Sequence, residues 1–288
     1  MAATLAGAVG LAQGAATSGT GDEDAPPSLR FLDSAPVHDR ASGLTEPSGL
    51  AFDDASGVFW VVSDDSEWLY RLDAGGTENG AGPRIGGLED AEGIAVDRAR
   101  NRLLVLSESA AAILAIGLDA SPTVSVHRIS GMDGRARLAP HLDAGAPALS
   151  PEGLTVDPST GRVFVVNEDS PRLLIEITPN LAEIAAVTPL SAAAGFAVPG
   201  VEDSRLDASG IAFDAARGAF WITSDVGRSV FLWNGRSPAL RFELRWTHHG
   251  KSHTVHNAEG VALAPDGRGL RIVSDDGKDS RFFAYALD

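Results

Sequence analysis

Short runs of Val, Ile, Leu and aromatic residues, each cut off by Gly, Asp, Asn or Pro, recur along this chain from residue 28 to its end. Leu50-Ala51-Phe52 precedes the turn cluster Asp53-Asp54-Ala55-Ser56-Gly57, and Phe59-Trp60-Val61-Val62 follows it. Two such runs around a turn predict a β-hairpin. A third run follows at 68–72 and a fourth at 83–88.

The whole unit then repeats. EPSGLAFDDASGVFWVVSDD from Glu46 aligns without a gap with DAEGIAVDRARNRLLVLSES from Asp90 and SPEGLTVDPSTGRVFVVNED from Ser150. Two further copies are DASGIAFDAARGAFWITSDV from Asp207 and NAEGVALAPDGRGLRIVSDD from Asn257. Every copy places Ser or Glu before a Gly (Ser48, Glu92, Glu152, Ser209, Glu259). Sixteen residues later every copy has an acid (Asp64, Glu108, Glu168, Asp225, Asp275). Third runs are predicted at 112–118, 173–177, 229–233 and 282–287, and fourth runs at 123–129, 184–190 and 240–247. The fifth copy stops after its third run, so its missing strand is assigned to 28–33 at the N-terminus.

Four strands per copy in radial repetition predict an all-β fold, a β-propeller of five four-stranded blades closed by an N-terminal strand. Copies begin 44, 60, 57 and 50 residues apart, and a blade takes roughly 40 or more, so no interval hides another blade. Six blades, one of them irregular and built from the longer insertions, is the alternative.

Composition narrows the partners. With 288 residues the chain can bury a core without staples, and the absence of Cys removes disulfides, thiolate metal sites and a Cys nucleophile. The 23 Lys and Arg against 39 Asp and Glu give a net charge of −16, which repels phosphate backbones and anionic lipid and favours cations. No nucleic-acid partner and no transmembrane helix are expected, and the chain is expected to be a monomer. Residues 1–27 form a separate segment. The uncharged MAATLAGAVGLAQGAATSGTG, with its small-x-small string Ala12-Gln13-Gly14, reads as an export signal lacking its basic leader, or as a disordered Ala-rich tail. The propeller domain then occupies 28–288, and the signal reading makes the protein exported, periplasmic or extracellular.

In a propeller the start of each inner strand and the end of each second strand share one face with the blade-to-blade connections. Those connections are long at 130–149, 191–207 and 248–257, which marks this as the working face. It gathers the candidate metal ligands Glu92, Glu152, Glu259, Asp64, Glu108, Glu168, Asp225 and Asp275. Like charges so close raise one another's pKa and oppose folding unless a cation sits among them. Ca2+, with six to eight oxygen ligands in flexible geometry, suits such a ring; another divalent cation is possible. The plainer reading is a solvated acidic rim whose acids form turns, as Asp53, Asp97, Asp157 and Asp214 do on the other face. Ser63, Ser107, Asn167, Ser224 and Ser274 form a further polar ring, expected to hydrogen-bond between blades.

Four histidines fall within nine residues in HHGKSHTVH, 248–256. A mobile, solvated loop accounts for them. If that loop folds over the mouth, His253 and His256 are candidates for acid–base work. Lys251, with Arg135 and Arg137 of the long 130–149 loop, would then meet a small anionic substrate. No nucleophile is visible: there is no G-x-S-x-G, no H-E-x-x-H and no complete phosphate loop around Gly250-Lys251-Ser252.

SPEGLTVDPSTGRVFVVNEDSPRLLIEI, DASGIAFD and NAEGVAL with IVSDD resemble the SdiA-regulated family, also called the YjiK/CarP family, over roughly 44–288. EPSGLAFDDASGVFWVVSDD is similar to the esterase-like phytase propellers. Glu92-Gly93, Glu152-Gly153 and Glu259-Gly260 more weakly resemble lactone-hydrolysing propellers, which place an axial metal-binding Glu before a Gly. The resemblance implies an exported bacterial propeller connected with calcium, with phytase-like activity in some relatives. Three functions follow as expectations: a calcium-binding propeller in binding or calcium homeostasis; a metal-dependent phosphoesterase or lactone hydrolase; and a protein-interaction scaffold.

Overall fold

The computed structural model describes residues 27–119, 122–142 and 149–288; the signal-like segment 1–26 and part of the 130–149 loop lie outside the described residues. Five four-stranded antiparallel sheets form a five-bladed β-propeller. The inner strands are Pro47–Asp53, Ala91–Asp97, Pro151–Val156, Gly210–Asp214 and Ala258–Leu263. In the last blade the N-terminal strand Leu29–Pro36 pairs with Arg281–Leu287, from Leu29 opposite Leu287 to Pro36 opposite Arg281. The ring is therefore closed by sequence-distant strands, as the unfilled fifth unit predicts.

Blade faces bury their apolar residues against each other, and the core divides accordingly into five clusters, one per blade interface. Trp60, Leu69, Ile94 and Leu114 fill the first interface. Phe59, Tyr70, Val273 and Phe282 seal the fifth blade to the first. Each large side chain fully buried there contributes about 1.5–3 kcal/mol, so the seam carries a full interface and leaves no gap for a sixth blade.

The conserved spacing of the five Ser/Glu-Gly pairs has a steric cause. A Cβ on Gly49 would lie 2.7 Å from the Glu92 carbonyl and 2.9 Å from Ile94 N; on Gly93, 2.8 Å from Leu154 N; on Gly153, 2.9 Å from Ile211 N. Gly210 would meet the Glu259 carbonyl at 2.1 Å, and Gly260 would meet Leu50 N at 2.6 Å, completing the circle. Only glycine permits five strands to converge this tightly.

Three expectations need correction. The fourth strand of the first blade is Glu78–Arg84, not the run 83–88. The run 240–247 is not one strand: Leu240–Glu243 completes the fourth blade, and Arg245–His248 then pairs with Lys251–Thr254 in a separate hairpin. The His-rich stretch is consequently an ordered hairpin. His249 and Gly250, at φ 48° and 74°, make its tight turn. The Ser63-type polar ring also works within blades, not between them. Ser63 Oγ accepts the Glu46 N–H at 3.1 Å, Ser107 Oγ donates to the Glu89 carbonyl at 2.9 Å, and Asn167 Oδ1 accepts the Ser150 N–H at 2.8 Å. Bonds between blades come from elsewhere: Ser48 Oγ donates to the Ala91 carbonyl at 2.5 Å, and Ser209 Oγ to that of Ala258 at 2.6 Å.

Candidate functional site

Each inner strand begins with a register shift against its neighbour in four blades, between Pro47 and Leu50, Ala91 and Gly93, Pro151 and Gly153, and Ala258 and Val261. The irregularity falls on the Ser/Glu position. Such bulges re-aim a side chain, and here they start the ring of Glu92, Glu152 and Glu259. A second constraint sets the acid sixteen residues later. Its backbone N–H bonds to the residue that opens the repeat: Asp64 to Glu46 (3.2 Å), Glu108 to Asp90 (3.0 Å), Glu168 to Ser150 (2.9 Å) and Asp275 to Asn257 (2.9 Å). In the fourth blade Asp225 N–H reaches the Asp207 carboxylate instead, at 2.9 Å.

The carboxylates thereby converge. Oxygens of Glu108, Glu152 and Glu168 lie within 4.8 Å of one another, as do those of Asp90, Glu92 and Glu108, and those of Glu46, Asp64 and Asp65. Glu108 belongs to two groups, so the second and third blades share it. The eight acids singled out by spacing all have raised pKa values, with burial the largest cause and neighbouring carboxylates adding to it. Asp64 and Glu168 are pushed up to about 7, Glu92 to about 8 and Glu152 to about 11. Glu259 is raised well above the usual range by burial, then by Asp225, Glu92, Asp207 and Glu168. Asp64 feels Asp275, Glu92 feels Asp64, Glu152 feels Glu92, and Glu259 feels Asp225, so one acidic field runs around the mouth.

Hydrogen bonding separates the acids that serve turns from those that do not. Asp275 Oδ1 accepts the Gly277 N–H at 3.2 Å, and Asp65 accepts Thr45 and Ser63 hydroxyls at 2.6 and 2.9 Å. Asp225 Oδ1 accepts the Asn257 N–H at 2.6 Å. Asp64 Oδ1, by contrast, is buried with no hydrogen-bond partner among the described residues. The donor set is oxygen-only in all three groups, which suits a hard cation such as Ca2+ or Mg2+ over a transition metal.

Glu46, Asp65, Asp90 and Asp207 were missed by spacing arguments that began at the Ser/Glu position. The signal was present, because the opening residue of each repeat is acidic in three of the five copies, Glu46, Asp90 and Asp207.

The other candidates sit apart from this convergence. His253 and His248 flank Trp246, with ring centroids 5.4 Å away in each case, and Arg281 lies over Trp246 at 4.9 Å. His253 and His256 line a cleft of about 660 Å3 between the hairpin and the fifth blade, with Asp276, Asp279 and Arg281. His256 alone approaches the acids, its charge acting on Asp225. Lys251 is exposed on the hairpin opposite His248. Arg137 donates to the Ile184 carbonyl at 2.7 Å and pairs with Glu183 at 3.4 Å, which commits it to the outer strand of the third blade. Arg135 is exposed on the same short 3-10 turn. No described helix is long and apolar enough to cross a membrane.

The buried Asp residues of the opposite face do form turns, and three also hold cations: Asp53 with Arg98, Asp97 with Arg102 at 2.9 Å, and Asp214 with Arg217 at 2.8 Å. Arg172, in the NEDSPRLL string, is 5% exposed and donates to the Leu206 carbonyl at 2.8 Å and Asp203 Oδ1 at 2.7 Å. Its role is to hold the 191–207 loop.

Among solved structures, the chain is similar to the Myxococcus xanthus glutaminyl cyclase (14% identity, TM-score 0.59, 91% of this chain and 97% of that one). It is similar also to a streptogramin B lyase (12%, 0.53, 90% and 98%) and to a chain of a nidogen/laminin complex (15%, 0.51, 86% of each). At these identities the likeness is one of fold. No curated protein matches the sequence. The family model described as SdiA-regulated matches residues 149–284, the stretch that contains the NEDSPRLL and AEGVAL strings.

Proposed function

We propose that this propeller binds a divalent cation, Ca2+ by the chemistry of its donors, at the axial mouth of the ring. The observation that carries the reading is the Glu108, Glu152 and Glu168 group, three carboxylates within 4.8 Å whose pKa values are all raised. Without a cation this arrangement stays protonated or repels itself; with one, the same charges become ligands. Binding or calcium homeostasis outside the cytoplasm is the role that this chemistry and the signal-like N-terminus support together.

A metal-dependent hydrolase is the second reading, favoured by His256 beside Asp225. A cation at the mouth would polarise an ester or lactone and lower the pKa of a bound water, with His256 as the candidate base. The fold does not choose between the readings, since its structural neighbours include a glutaminyl cyclase, a streptogramin B lyase and a chain of a nidogen/laminin complex.

The test is a thermal melt of chelator-stripped protein with and without millimolar Ca2+, alongside metal analysis of the protein as purified. A ligand at 100 times its Kd adds about 2.7 kcal/mol, a rise of roughly 5–10 °C at this size. No shift with Ca2+, Mg2+, Mn2+ or Zn2+ would leave the acids as a solvated rim. If a shift appears, metal-dependent turnover of p-nitrophenyl phosphate or a lactone panel selects the hydrolase.

A further inference from the structure

The axis has a second end. Below the acidic mouth, Leu50, Ile94, Leu154, Ile211 and Val261 close together with the convergent glycines, leaving a space of about 10 Å3, hardly one water. Beyond this plug the axis widens into a chamber of about 350 Å3 on the opposite face. That volume is at the lower end of the range for small-molecule sites, about 300–1,000 Å3. Its wall is the ring Phe52, Val96, Val156, Phe213 and Leu263, one residue from each inner strand. Of the charged groups at its rim, Asp97 bonds Arg102 and Arg98 donates through Nε to Asp53 at 2.7 Å, while Asp54 is exposed. The chamber wall therefore carries no charge, and the Asp54 carboxylate stands in solvent at the rim.

It does offer backbone donors. Phe213 N–H turns away from its own sheet and donates to Thr155 Oγ1 of the preceding blade at 3.0 Å. Phe213 lies opposite Phe220, and the same seven-residue register pairs Phe52 with Phe59, Val96 with Leu103, Val156 with Val163 and Leu263 with Leu270. In antiparallel pairs this register position aims its N–H to the same edge. Where the third blade has Thr155, the others have Ala51, Ala95, Ala212 and Ala262, which cannot accept a hydrogen bond. Four inward N–H groups are thus left in an apolar chamber with no side-chain acceptor among the described residues.

We propose that this chamber binds a small uncharged molecule with an apolar body and a hydrogen-bond acceptor such as a ketone, ether or ester oxygen. The apolar ring supplies contact area, and an inward N–H receives the acceptor. The plug makes the site independent of the acidic mouth.

The probe for the test is the neutral naphthyl ketone 6-propionyl-2-dimethylaminonaphthalene, titrated into the whole chain. Saturable one-to-one binding with blue-shifted emission is expected, together with slowed amide exchange in peptides spanning 91–97 and 151–156. Val156→Trp or, independently, Ala51→Leu fills the chamber and should weaken binding at least tenfold, each variant first checked for an intact melt. Chelator and Glu152→Gln should leave the probe's affinity unchanged, which separates this site from the cation site. A non-saturating rise in emission, or saturable binding indifferent to both filled variants and to exchange at these strands, overturns the proposal.

Discussion

Glu108, at the end of a second strand, and Glu152, at the start of the next blade's inner strand, bring carboxylate oxygens within 4.8 Å of each other across a blade interface. The packing of the second blade against the third brings them together, and both are partly buried. Glu152→Gln should therefore have opposite effects on the two forms of the protein. The chelated form should melt higher at pH 8, because Gln is neutral in both states whereas Glu152, its pKa pushed up to about 11, must take up a proton on folding. The rise on adding Ca2+ should fall from roughly 5–10 °C to about 2 °C or less. Calorimetric melts of both proteins, with chelator and with Ca2+, read both effects, and an unchanged Ca2+ response removes Glu152 from the site.

Stability should fall on both sides of a mildly acidic optimum in the chelated protein. The mouth acids have folded pKa values raised above their unfolded ones, to about 7 for Asp64 and Glu168, about 8 for Glu92 and about 11 for Glu152. The native state holds the extra protons, so their stabilising share is complete below the unfolded pKa, near 4, and is lost as pH rises through these values. Asp53 and Asp157 run the other way. Burial pushes them up, but Arg98 and Ser56 in one case and Thr160 and Ser159 in the other hold them below the ordinary value. Their contribution is present above the unfolded pKa and lost as pH falls through the folded one. Melts at pH 3, 5 and 8 should show the maximum at 5 with chelator, and Ca2+ should raise the pH 8 value most.

Cation binding at pH 7 should release at least one proton, since Glu92 and Glu152 hold theirs at that pH. Isothermal titrations in two buffers of different ionisation enthalpy measure this directly. Equal heats in both buffers would mean that the bound ion does not displace those protons.

Gly210→Ala should destabilise by about 1–3 kcal/mol, because its Cβ would fall 2.1 Å from the Glu259 carbonyl. Gly86→Ala is the matched control, with nothing within 4 Å and no left-handed backbone, and should be close to neutral. Urea denaturation of the two variants decides whether the axial glycines are needed for ring closure.

Removing residues 27–36 deletes the strand that covers Arg281–Leu287 and the Phe31 ring 5.9 Å from Tyr285. The shortened chain should be destabilised by more than about 4 kcal/mol, outside the range of ordinary local changes, and unfold at a lower midpoint. A synthetic peptide of residues 27–36 added in trans should restore part of the loss.

Periodicity alone determined the blade number, the closing strand and the eight acids, because strand alternation and close glycine packing are local requirements that repeat wherever a blade repeats. It misjudged the 240–256 stretch. Leu244 buries and ends the blade strand there, and Trp246 folds the histidines into a hairpin against Phe283 and Arg281, contacts made only with the fifth blade. The additional acids Glu46, Asp90 and Asp207 were legible in the repeat, yet their relevance depends on a backbone bond or carboxylate contact to a residue eighteen positions away. Which acids converge, which are committed to turns, and that an apolar plug separates the acidic mouth from an apolar chamber were decided by tertiary structure. Charge repulsion and desolvation depend on distance and burial across blades, and spacing along the chain encodes neither.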